Sequence, residues 1–342
     1  MPPIPSRGQF GAIPRSRYDP PRMRPFALLV LLAAALPACR KAEAGKPRLA
    51  FVINATSPFW EPAFKGLERA SAEFGIEATW EAPNGPVEKQ IDLVESLLAR
   101  GVDALVVSPL DPEALAAPLR RAKEKGVEVL TMDSDSPGSG RTAYIGTDNR
   151  RAGEAAGREM VRLLGPTGGK VAGFVGYLTA ANARERIEGF RTGIAGSRVE
   201  LVEVYPDGAE AAKAQNNVEA ALRAHPDLAA LFTIWSYNAP AAGRALKGAG
   251  LVGKVRVVGF DAEPQTLTLI EEGAIDACIG QKPYEFGYQA VRLFHAIRTK
   301  GREAALAEIA PGGLLDTGIE VITRESLPAY RERLRKLGIR SS

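Results

Sequence analysis

The chain has 342 residues, 45% hydrophobic and 25% charged, an ordinary globular composition with length enough for two domains. Its formal charge is +4, yet Arg7, Arg15, Arg17, Arg22 and Arg24 against Asp19 alone place that whole surplus before residue 39. The neutral remainder argues against a nucleic-acid partner. With two cysteines and two histidines, neither a disulfide framework nor a Cys/His metal cluster is expected, and no cofactor is called for.

Residues 1–22 carry six prolines and four arginines without an apolar period, so they are read as lying outside any fold, with Met23 the better initiator. Arg24 then precedes an unbroken apolar run, Phe26 to Leu36, and Leu36-Pro37-Ala38-Cys39 sets a small residue before a cysteine. That run is shorter than the roughly 20 residues a spanning helix needs. Residues 1–38 therefore read as a leader and signal peptide ending like a bacterial lipobox, Cys39 as the lipidated residue, and 39–47 as a tether. A plain secretory signal with an incidental cysteine is the alternative. Either way the protein is exported, periplasmic or otherwise extracytoplasmic.

From Arg48 onward short β-branched runs alternate with amphipathic ones. Strands are predicted at 48–54, 104–108, 128–133, 143–147, 170–176, 199–205, 230–235, 255–261 and 276–281. Between them lie helical patterns such as 87–100, where Val87, Ile91, Val94, Leu97 and Leu98 share a face and Gly101 follows. Continuously apolar strands separated by helices make βαβ units, which right-handed crossovers assemble into doubly wound parallel sheets. A fresh strand–helix series begins after Thr147-Asp148-Asn149, so the expected fold class is α/β with two doubly wound lobes.

Ligands of open α/β sheets bind beyond the carboxyl ends of the strands. Here those ends read Asn54-Ala55-Thr56-Ser57-Pro58-Phe59-Trp60, Asp133-Ser134-Asp135, Trp235-Ser236-Tyr237-Asn238 and Asp261-Ala262-Glu263. Carboxylates and amides accept from and donate to vicinal hydroxyls, and flat rings cover the C–H faces of a sugar, so these ends describe a polyol cleft. For Asp133 and Asp261 the other reading is a helix cap, and for Phe59, Trp60 and Trp235 a place in the core. Trp80, in a plain strand, is read as packing; His225 and His295 as helix residues; Cys278 as a buried small hydrophobe.

Ser57-Pro58-Phe59-Trp60, the strand ending in Asp133, Ala183-Arg184-Glu185-Arg186-Ile187-Glu188-Gly189-Phe190, His225-Pro226-Asp227, Val258-Gly259-Phe260-Asp261 and the strand ending in Gln281 closely resemble the ribose-type periplasmic sugar-binding proteins of bacterial ABC importers. The resemblance covers roughly residues 48–325. It implies sugar contacts at Ser57, Phe59, Trp60, Asp133, Arg184, Asp261 and Gln281, to which the strand-end reading adds Trp235 and Asn238. Ser134 and Trp235 stand where that family often has arginine and asparagine, and Ala209 where some members have an aromatic, so the class is implied rather than ribose itself.

The resemblance also implies three hinge crossings, with one lobe made of 48–148 and 282–312 and the other of 149–281 and 313–342. The partners expected are a monosaccharide or related polyol, an ABC transporter permease and, through the lipid, a membrane; the chain is expected to be a monomer. No Gly-x-Ser-x-Gly, His-Glu-x-x-His or complete phosphate loop occurs, so an enzyme is not expected. A glycosidase using Asp133 and Asp261 and a receptor serving a membrane sensor are the alternatives.

Overall fold

The computed structural model describes residues 45–83, 85–307 and 309–340; the signal segment and Cys39 lie outside them. The first lobe begins with β1 (Arg48–Val52), α1 (Glu61–Phe74), β2 (Glu77–Glu81), α2 (Val87–Ala99), β3 (Ala104–Val107), α3 (Pro112–Glu124), β4 (Glu128–Met132) and β5 (Ala143–Gly146). The second holds α4 (Asn149–Leu164), β6 (Gly169–Val175), α5 (Ala181–Ile194), β7 (Val199–Pro206), α6 (Ala211–Ala224), β8 (Leu228–Thr233), α7 (Asn238–Ala249), β9 (Arg256–Phe260), α8 (Pro264–Glu272) and β10 (Ala277–Gly280). The chain then returns through α9 (Pro283–Lys300), α10 (Arg302–Leu306) and β11 (Leu314–Asp316), and ends in β12 (Glu320–Thr323) and α11 (Leu327–Lys336).

Each lobe carries one six-stranded sheet, ordered β11-β5-β4-β3-β1-β2 and β12-β10-β9-β8-β6-β7. The orders match position for position, so β4 and β9 occupy equivalent places. All neighbours are parallel except β12, which runs antiparallel to β10. The α/β architecture of two doubly wound lobes is as the alternating pattern requires. Strands such as Ala104–Val107 and Glu128–Met132 are buried throughout, because helices cover both faces of the sheet.

The chain crosses between lobes after β5, at Gln281–Lys282 and once more near the end. Because Leu314–Asp316 pairs with β5, and Thr317 N still donates to Gly146 O at 2.8 Å, that last crossing falls at 317–319. This is later than the expected 312/313 boundary: three residues of hydrogen-bonded edge strand are too short to show a period.

Trp80 sits on the edge strand β2, 46% exposed, with its ring stacked on Phe64 at 4.0 Å. It packs, but on the surface. His225 ends α6, and Cys278 is fully buried, a setting that pushes its thiol well above the ordinary range. Among the described residues no helix is long and apolar enough to cross a membrane, and no group of His, Cys, Asp and Glu could hold a metal ion.

One packing detail positions the site. α4 and α5 meet through Gly153 and Gly189, where an added Cβ would run into the backbone carbonyls of Arg186 and Arg150 respectively. Arg186 sits at this close contact, and its side chain borders the cavity between the lobes.

Candidate functional site

The carboxyl ends of the two sheets face one another across a cavity of about 70 Å³. The first lobe contributes Asn54, Ser57, Phe59, Trp60 and Asp133 to its walls; the second contributes Asn182, Arg186, Trp235 and Asp261. Hydrogen bonds join the lobes here, among them Phe59 N to Glu263 Oε1 at 3.2 Å, Asn182 Nδ2 to Asp133 Oδ2 at 3.2 Å and Asn149 Nδ2 to Asp133 O at 3.3 Å.

Asp133 and Asp261 follow the equivalent strands β4 and β9, and both adopt left-handed backbone, with φ of 57° and 70°. Aspartate tolerates this conformation better than most residues. Each backbone N–H still joins the neighbouring strand, Asp133 N to Ile145 O at 3.2 Å and Asp261 N to Ile279 O at 3.0 Å. The bend ends the strand and leaves the carboxylate at the cleft.

Three donors converge on Asp133 Oδ2: Ser108 Oγ at 2.8 Å, Asn182 Nδ2 at 3.2 Å and Asn54 Nδ2 at 3.3 Å. Asp261 Oδ1 accepts from Gln281 Nε2 at 2.8 Å, and its Oδ2 lies 4.0 Å from Arg186 Nη1. Burial raises both carboxyls against the pull of the Arg186 charge, Asp261 up to about 7. Neither aspartate caps a helix through its side chain; the capping alternative is set aside.

Arg186 is 1% exposed and lies with its guanidinium 4.2 Å from the centre of the Phe260 ring. Its Nε donates to Asn149 Oδ1 at 2.9 Å and its Nη1 to Ile234 O at 2.8 Å, while Nη2 has no hydrogen-bond partner. An unpartnered charged donor buried beside two carboxylates is costly unless a bound group completes it.

The expectation for Arg184 is corrected by the structure: that residue is exposed, donates to the Thr179 carbonyl and does not line the cavity. At 100° per residue it lies about 200° round α5 from Arg186. The signal was present, since Ala183, Ile187 and Phe190 define a buried stripe that includes position 186 and excludes 184. Asn238 is likewise moved. Fully buried behind the cavity wall, it accepts from Trp235 N at 3.1 Å and donates to Asp207 Oδ2 at 2.7 Å.

Gln281 stands at the second crossing and reaches the cavity through Asp261 rather than by lining it. Trp60 is buried, edge-on to Phe51, and borders the cavity from within the core; Phe59 is half-buried beside it. Trp235 lines the wall, and its Nε1 donates to Asn182 Oδ1 at 3.2 Å. Asn54 and Glu263 fall within the polar strand ends and Arg186 within the arginine-containing segment, but none of these, nor Asn182, is among the individual sugar contacts expected from sequence. Neutral amides leave no charge pattern, and Glu263 reaches Phe59 only across the closed cleft.

The family model of the periplasmic binding protein domain matches residues 49–303. A ribose import binding protein of Salmonella typhimurium is 30% identical over 274 residues, covering 79% of this chain and 91% of that protein. A solute-binding protein of an ABC transporter from Burkholderia graminis, solved with D-arabinose, superposes with a TM-score of 0.77 at 32% identity, over 84% of this chain and 98% of that one. One from Agrobacterium vitis, bound to α-D-tagatopyranose, gives 0.76 at 26% identity, over 84% and 98%.

Proposed function

Because the chain belongs to the periplasmic binding protein family, whose members bind solutes without converting them, we propose that it captures a monosaccharide or related polyol outside the cytoplasmic membrane and delivers it to the permease of an ABC importer. The observation that carries this reading is the mirrored pair Asp133 and Asp261 on either side of Arg186, under Phe59, Trp60 and Trp235. Two acceptors and one buried cation, walled by rings, suit a neutral ring bearing several hydroxyls. A free anion would meet two carboxylates.

In this reading Ser57, Asn54 and Asn182 supply further polar contacts, and Gln281 holds Asp261 in place. Closure of the lobes buries the ligand against both, so binding favours the closed form over an open one. The protein works as a monomer held to a membrane by acyl chains on Cys39.

Calorimetry over pentoses, hexoses and inositols, with amino acids and short peptides as controls, tests it. A micromolar sugar complex corresponds to about −8 kcal/mol. Losing a carboxylate that takes hydroxyl donors forfeits roughly 1.5–3 kcal/mol per charged hydrogen bond, so Asp261→Ala should bind about tenfold or more weakly. Binding of an amino acid or peptide with no polyol bound would sink the reading.

A further inference from the structure

A second and larger cavity, of about 190 Å³, lies beside the first at the second crossing between the lobes. Its floor comes from both lobes and the second crossing, with Pro58, Pro62, Pro264 and Tyr284. Its roof is the chain's end, Tyr330 and Leu334 of α11 followed by Leu337 and Ile339. The lining is thus mainly rings and aliphatic chains. Charged groups border it as well: Glu61, Asp261, Glu263, Lys282 and Arg340, together with Arg333, which pairs with Glu320, and Glu285, which accepts from Gln289 Nε2 at 2.8 Å.

Two features tie this cavity to the sugar site. Phe59 and Asp261 line both, so the two cavities adjoin at these residues. Gln281, which orients Asp261, also borders the larger cavity, and its buried Oε1 has no hydrogen-bond partner. The roof, residues 330–340, lies beyond the 49–303 span that matches the family model.

We propose that the second cavity receives an apolar substituent on the sugar, so that the ligand is a glycoside carrying an aryl or short alkyl group. The inference rests on the polyol reading: the sugar hydroxyls engage Asp133, Arg186 and Asp261, while the substituent lies beside Phe59 between Tyr284 and Leu334. Removing an aromatic ring from water into such a lining is favourable, and its faces meet rings on the floor and at the partition. The Gln281 amide oxygen would accept from a donor near the glycosidic link.

The test is calorimetry with ribose, xylose, arabinose and galactose, each as the free sugar and as its methyl and phenyl glycosides in both anomers. The phenyl glycoside of the sugar that binds should bind about tenfold or more tightly than the free sugar, and its methyl glycoside about equally. Leu334→Trp, which fills the cavity from the roof, and Leu337→Asp, at a position 45% exposed and so tolerant of charge, should each abolish the phenyl advantage and leave free-sugar affinity within about twofold. A phenyl glycoside that binds no better than the free sugar, or keeps its advantage in both variants, overturns the inference and leaves the polyol site standing. If none of these binds, free or substituted, and no other pentose, hexose or inositol does, the polyol reading fails first and this one with it.

Discussion

Asn182, at the start of α5 in the second lobe, donates to Asp133 of the first at 3.2 Å while its own oxygen accepts from Trp235 Nε1 at 3.2 Å. A single amide therefore links the wall of one lobe to the carboxylate of the other. The chain of bonds continues inward: Trp235 N to Asn238 Oδ1, Asn238 Nδ2 to Asp207 Oδ2, and Tyr237 Oη to Asp207 Oδ1 at 2.6 Å. Asp207, fully buried, is thus the inner anchor of the contact between lobes.

The amide is needed in both of its roles. Asn182→Asp would set a buried carboxylate against Asp133 and lose the donor, so sugar affinity should fall by about tenfold or more and the melting temperature should fall as well, whereas Asn182→Ala should weaken binding with a smaller loss of stability. Calorimetry alongside a melting curve checks this; unchanged affinity would remove Asn182 from the closure.

Arg186 and Arg184 give opposite expectations. Removing a buried charge that balances two carboxylates typically costs about 3–5 kcal/mol, so Arg186→Leu should lower the urea midpoint sharply and abolish sugar binding. Arg186→Lys should recover part of the stability, because charge returns, and little of the affinity, because the planar fork does not. Arg184→Ala, on the exposed face, should alter neither measurement.

The raised carboxyls make stability depend on pH. The folded-state value of Asp261, about 7, stands above the roughly 3.9 of an unfolded aspartate, so the folded chain holds that proton more tightly. Its contribution is complete below about pH 4 and is lost as pH climbs through about 7. Asp133 acts in the same direction. Denaturant midpoints measured in the absence of sugar should therefore show a downward component between pH 4 and 7 that is reduced in Asp261→Asn. An identical profile in that variant would show that other groups set the slope.

The proposed acyl anchor has its own test. Two chains at about 0.8 kcal/mol per buried CH₂ hold a protein firmly on a bilayer. Cys39→Ala should move the exported protein from the membrane fraction to the soluble one; a native protein that is wholly soluble and starts beyond residue 39 would rule the anchor out.

Much of this architecture is legible in local patterns. Apolar strands such as Ala104–Val107 and helices such as Val87–Ala99 announce themselves because burial on two faces and on one stripe impose different periods. The same logic places Asp133 and Asp261 at strand ends, and there the structure finds both. What local pattern could not supply is direction and partnership. Arg184 and Arg186 sit two residues apart with the same chemistry; the stripe of Ala183, Ile187 and Phe190 tells which of them faces inward, but that the inward face of α5 meets the cleft and Asp261 is set by how the lobes pack. Gln281 follows its strand as expected, while Asn238 opens α7 rather than ending β8, and each acts on a neighbouring carboxylate, since hydrogen bonds across 31 and 20 residues are set by where the sheet brings strands together. The bonds from Asn182 to Asp133 and from Phe59 to Glu263 exist only once two separately folded sheets meet. Composition and period determine which elements form and which residues stand at their ends; closing one lobe on the other decides which of those residues share a ligand.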